Sequence, residues 1–165
     1  MSSRPSAVFV PVPAAAPVAA AGGASRSRRE LEPHVTVLWP FLPAGSLDGA
    51  TTEALRRLAA GRPRFRASFS RVGRFPGVAF LAPDDPTPFV DLTEAVAGEW
   101  PDHPPYEGAY DEVIPHVTIG TDVEVDDARV AALLPLEVEV VEIALAVQRR
   151  FLGWRTIARF PLSAS

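Results

Sequence analysis

Two of the three histidines in this chain sit in the same four-residue context, Pro33-His34-Val35-Thr36 and Pro115-His116-Val117-Thr118. Histidine is the side chain whose unperturbed pKa lies nearest neutrality, so a pair can supply a general base and a general acid together. A threonine hydroxyl two residues on can hydrogen-bond the non-bridging oxygens of a phosphate. The chemistry within reach is paired acid–base catalysis beside a bound phosphate. One histidine on a strand is usually a satisfied polar residue, but repetition of the whole context argues against a purely structural role. Histidine and carboxylate are also good zinc ligands. Neither motif has a second His or Cys at ligand spacing, so no metal and no cofactor are expected. The third histidine, in Asp102-His103-Pro104, falls in a proline-rich loop and is expected to face solvent.

For those side chains to act together, rigid elements must present them. His34–Leu38 and Val113–Ile119 are rich in β-branched residues and read as strands. Alternation on a strand puts His34 and Thr36 on one face, with Val35 and Val37 on the other, and it does the same for His116 and Thr118. The second copy follows the first by 82 residues, from 34 to 116, about half of the 165-residue chain. That spacing fits one motif in each of two similar lobes facing across a groove.

The rest of the chain alternates strands and helices. Strands are expected at Ala7–Val12, Arg64–Val72, Val78–Leu81, Glu137–Arg149 and Trp154–Leu162, and helices at Ala14–Ala21, Asp48–Ala60, Pro88–Trp100 and Asp126–Leu134. In the third strand Phe65, Ala67 and Phe69 share one face, while Arg64, Arg66, Ser68 and Ser70 share the other. Ser25–Glu32 reads as an arginine-rich loop or short helix, and Pro101 to Asp111 as a loop. Antiparallel pairing at the C-terminal end makes this an α+β chain.

Length allows one domain, or two small lobes sharing one core, over residues 1–165, and roughly 70% of the unfolded surface can be buried. The chain has 18 prolines and 11 glycines, yet 47% of its residues are hydrophobic. No cysteine is present, which excludes disulfides, thiolate metal sites and cysteine nucleophiles. Every basic residue is arginine, and the net charge is −4. Non-specific binding to long nucleic acid relies on excess basic charge, so a nucleic-acid ligand would be a short piece or an end. The apolar stretch from Ala7 to Ala21 is interrupted by Pro11, Pro13 and Pro17, with Arg4 as its only early positive charge. It reads as a buried strand and an Ala-rich helix, neither a secretory signal nor a membrane span, and a cytoplasmic monomer is expected.

The paired His-x-Thr motifs resemble the signature of the 2H phosphoesterase superfamily, especially its bacterial 2′-5′ RNA ligase-like branch. The likeness extends to Pro40-Phe41, Val72-Gly73-Arg74-Phe75-Pro76-Gly77, Pro105-Tyr106-Glu107-Gly108 and Gly153-Trp154-Arg155 with Phe160-Pro161-Leu162. It implies a bilobal α+β fold, with two antiparallel sheets lining a groove and helices outside. It also implies metal-independent opening of 2′,3′-cyclic phosphates on RNA ends or nucleotides to 2′-phosphates, with reversible 2′-5′ RNA ligase activity as a variant of the same geometry. Carried over, His34 and His116 are the catalytic pair, and Thr36 and Thr118 bind the phosphate. Arg149, Arg150, Tyr106 and Trp39 are candidate substrate contacts. The alternative is a non-catalytic module that binds a nucleotide or RNA-end phosphate in the same groove.

Overall fold

The architecture comes from a computed structural model, which describes residues 3–23, 30–121 and 124–164. The described residues form eight strands: β1 (Ser6–Pro11), β2 (His34–Leu38), β3 (Phe65–Phe75), β4 (Val78–Pro83), β5 (Val117–Thr121), β6 (Leu136–Val140), β7 (Glu142–Arg149) and β8 (Gly153–Pro161). Among the described residues four α-helices accompany them: α1 (Ala16–Ala21), α2 (Gly49–Ala60), α3 (Thr87–Glu99) and α4 (Asp127–Ala131). The element expected at Ser25–Glu32 lies largely outside the described residues.

The strands form one curled sheet in the order β6-β3-β4-β5-β2-β1-β7-β8, and every pairing between them is antiparallel. This is the α+β fold expected, with one change. The two expected sheets are the four-stranded halves β6-β3-β4-β5 and β2-β1-β7-β8, and they are joined through the Val35–Val117 pair of β2 and β5. Pairing those two motif strands removes an exposed edge from each half.

One face of the sheet carries the helices. Val8, Val10, Val35, Leu81, Val117, Ile119, Ile143 and Leu145 pack there in a single core with Val18 of α1, Leu55 of α2, Phe89, Leu92 and Val96 of α3 and Val130 of α4. Alternation sends the residues between them to the opposite face, which carries no α-helix among the described residues (the helix-free face). The first strand shows why: Val8 and Val10 join the helix-side core, while Phe9 packs in a separate cluster with Ala144 and Ala146.

Several element boundaries differ from expectation. The run Glu137–Arg149 is two strands, because β6 pairs with β3 whereas β7 pairs with β1 at the other side of the sheet. The chain crosses at exposed Val141, whose carbonyl accepts from the Leu162 amide at 2.8 Å. The second motif strand starts at Val117 and not at Val113, since Pro115 just upstream has no amide to give a ladder. The last helix is a single short segment that ends at Ala131.

Candidate active site

His34 opens β2, and His116 immediately precedes β5. Their strands run antiparallel with Val35 opposite Val117. One step along that register sets Thr36 opposite His116, and one step back sets His34 opposite Thr118. All four polar side chains therefore occupy the helix-free face, while Val35 and Val117 lie buried beneath them. Diagonal neighbours in such a pair are about 7–8 Å apart, so the two imidazoles stand within reach of one phosphate.

Following the registers outward gives two rows across the face. One runs Arg71, Ala82, His116, Thr36, Phe9, Ala144, Arg159, and the other runs Gly73, Phe80, Thr118, His34, Pro11, Glu142. The halves are built alike. Phe9 of β1 is paired with Thr36, and its ring meets His34 edge-on at 5.4 Å. Phe80 of β4 is paired with Thr118, and its ring meets His116 edge-on at 5.2 Å. Phe75 stacks on Phe80 at 4.3 Å and also touches His116. Each motif strand also carries a β-bulge at the same place, beside Phe9 in one half and beside Phe80 in the other.

These bulges re-aim side chains. In β2 the register steps from Thr36 to Leu38 while β1 advances by one, so Val37 is the extra residue. Val37 and Leu38 then both face the core, and Trp39 is returned to the face of Thr36. The Val37 carbonyl accepts from the Thr93 hydroxyl of α3 at 2.7 Å, so the carbonyl of the bulged residue is satisfied. In β5 the extra residue is Ile119. The α1 helix ends against it at Gly22, where a β-carbon would lie 2.5 Å from the Ile119 carbonyl oxygen.

The imidazoles are held in one way. His34 Nδ1 lies 2.8 Å from the Glu32 carbonyl and His116 Nδ1 lies 2.8 Å from the Ile114 carbonyl, in each case two residues upstream. A carbonyl can only accept, so Nδ1 carries the proton and Nε2 is left free to take or give one. Burial holds the His34 pKa below its ordinary 6.5; the bond to Glu32 opposes that shift, and the charge of His116 adds to it. His34 is accordingly a neutral imidazole with an available Nε2 near neutrality.

The other expected contacts separate into two groups. Trp39, 39% exposed, lies on the helix-free face, with the Tyr106 ring 6.1 Å away and the Tyr106 amide donating to its carbonyl at 2.6 Å. Tyr106 adopts φ 51°, a left-handed conformation unusual for a bulky residue, and burial raises its phenol pKa. These two aromatics stand together at one end of the motif strand. Arg149 and Arg150 are not brought to the histidines. Arg149 is five residues along β7 from Ala144, which is level with Phe9 and Thr36; that is about 17 Å at the usual strand rise. Arg150 lies in the turn beyond, over the Phe151 ring at 5.3 Å. His103 is half-buried and not exposed, beside Pro40, Phe41 and Pro104, and its amide donates to the Trp100 carbonyl.

Arg71 is among the residues of the face that escape sequence reading. Strict alternation from Phe65 and Phe69 would point Arg71 into the core. A bulge between Phe69 and Arg71 turns it to the helix-free face instead, in the His116 row. Among the described residues no group of three or more His, Cys, Asp or Glu could hold a metal ion. No helix among them is long and apolar enough to cross a membrane.

Comparison with known proteins places this geometry. The chain resembles the solved structure of TT0787 from Thermus thermophilus, with TM-score 0.69, 21% identity and coverage of 98% of this chain and 99% of that one. It also resembles E. coli LigT complexed with 3′-AMP, with TM-score 0.61, 16% identity and the same coverage. At such identities the likeness is one of fold. A search of the curated proteins gives no match. The 2′-5′ RNA ligase superfamily profile matches residues 9–150, a span that contains both motifs, the phenylalanines beside them and the strands that carry them. On that match the chain belongs to the 2′-5′ RNA ligase superfamily, a superfamily of 2H phosphoesterases.

Proposed function

We propose that the protein is a phosphodiesterase that opens 2′,3′-cyclic phosphates of nucleotides or short RNA ends to 2′-phosphates. The observation that carries this reading is the pair of imidazoles on one face, each with Nδ1 tied to a carbonyl and Nε2 free. His34, kept neutral by burial, takes a proton from the attacking water. The water oxygen bonds phosphorus in line with the 3′ oxygen, the P–O3′ bond breaks, and His116, entering the step with protons on both ring nitrogens, gives the one on Nε2 to the departing oxygen. Thr36 and Thr118 hold the non-bridging oxygens, and Trp39 with Tyr106 offers ring surface to a base. E. coli LigT is known in complex with 3′-AMP, with phosphate and with ATP, which supports a nucleotide phosphate as the occupant of the face. The same geometry run in reverse would join a 2′ hydroxyl to an end. The net charge of −4 favours short ligands over long nucleic acid.

The test is product analysis with 2′,3′-cyclic nucleotides in excess chelator. The expected outcome is turnover to the 2′-phosphate, undiminished by chelation. Binding without turnover would favour the phosphate-binding module, and activity restored only by added zinc would remove the paired-imidazole mechanism.

The threonines give a second check. Thr36→Val and Thr118→Val keep the branched shape and delete the hydroxyl, so each should lose about 0.5–3 kcal/mol of transition-state stabilisation in kcat/KM. Wild-type rates in both variants would reduce the threonines to strand formers.

A further inference from the structure

The two halves of the site differ in what holds the carbonyl behind each histidine. Behind His116 that carbonyl belongs to Ile114, whose side chain is exposed. Behind His34 it belongs to Glu32, whose side chain is only 19% exposed and is gripped by Arg159 of β8 at 2.7 Å. The other guanidinium nitrogen of Arg159 holds Glu142 of β7 at 2.6 Å. The next residue, Pro33, is fixed as well, with its carbonyl accepting from the Val12 amide at 2.7 Å. The planar guanidinium fork thus spans two carboxylates and ties β7, β8 and the approach to β2 together.

We infer that Arg159, acting through Glu32, is a positioning residue that sets the ring orientation and tautomer of His34. It touches neither imidazole. Its two carboxylate partners fix the Glu32 backbone, the Glu32 carbonyl fixes His34 Nδ1–H, and Nε2 is thereby left free and aimed along the helix-free face. His116 has no ion-paired counterpart behind it among the described residues, so the constraint is particular to one of the two histidines. An exposed ion pair often contributes little to stability. The expected consequence is accordingly one of geometry, not of folding. This inference rests on the proposed reaction for its catalytic meaning but not for its test.

The experiment is nitrogen NMR of the imidazoles, with all three histidines labelled, at a pH where they are neutral. In the unaltered protein His34 should show the Nδ1–H form. In Arg159→Ala it should shift towards the Nε2–H form that free side chains favour, with His116 unchanged, and Arg159→Lys should restore part of the original signal. Glu32→Gln keeps the side-chain length and removes the ion pair. It should reproduce the shift, and it serves in place of Arg159→Ala if that variant does not fold. Where turnover of a cyclic nucleotide is measurable, kcat should fall roughly 10- to 100-fold with KM changed less than about twofold. Unaltered His34 nitrogens in Arg159→Ala and Glu32→Gln, or equal shifts at His34 and His116, would overturn the inference. Absence of turnover in the unaltered protein would count against the proposed reaction only, since the tautomer is read without substrate.

Discussion

His34→Ala and His116→Ala are each expected to lower kcat/KM for a 2′,3′-cyclic nucleotide by about 10²–10⁴-fold, the usual contribution of a general acid or base. Both variants should remain folded. Each imidazole contributes contacts with a phenylalanine ring and one backbone hydrogen bond, while the valines that anchor the two strands in the core are left unchanged. The double variant should be little worse than either single one, because the two groups serve a single proton relay and such effects are not additive. His103→Ala should leave the rate unchanged, since His103 lies beyond Trp39 among prolines and belongs to neither row of the site. Full activity in either motif variant would end the paired-histidine mechanism.

Phe9→Ala should have the largest effect on stability among changes near the site, and it carries a second signature. Phe9 is fully buried, packs with Ala144 and Ala146 and is flanked by Leu31 and Trp154, so its removal should cost about 3–5 kcal/mol in denaturant unfolding. It also shields His34 from water. A base must be neutral to act, and burial lowers the His34 pKa from 6.5. The acidic limb of the kcat/KM profile should therefore lie below pH 6.5 in the unaltered protein. Opening the site to water in Phe9→Ala should move that limb upward, towards the unperturbed value. A limb that stays in place or moves down, measured on folded variant, would separate His34 from the role of base.

The motif strands and the shared face of His34 with Thr36 are legible because a half-buried strand writes its alternation into the sequence. Phe9 is not legible as a site residue. Its strand is apolar on both faces, and a continuous apolar run carries no period. Trp39 stands out for its ring chemistry, but its placement depends on the bulge at Val37, and alternation alone assigns it to the core side. The same holds for Arg71 and the bulge before it. The division of Glu137–Arg149 does leave a trace. Inward residues Val138 and Val140 are followed by Ile143 and Leu145, a slip of one residue in a period-two pattern at the point where the chain changes partners. The ion pair of Arg159 with Glu32 joins residues 127 apart. It depends on the order of β1, β7 and β8, which no local pattern encodes.

The seam between the two half-sheets rests on the single pair Val35–Val117, where other neighbouring strands share longer ladders. In the proposed reading, a phosphate above the seam receives hydrogen bonds from Thr36 on one strand and Thr118 on the other. The anion then acts as a rung, cross-bracing two strands where backbone rungs are fewest. Its affinity becomes cohesion of the protein itself, amounting to about 2.7 kcal/mol when ligand is present at roughly 100 times its Kd. In that reading the short junction leaves to the ligand a bracing role that backbone pairing fills elsewhere in the sheet.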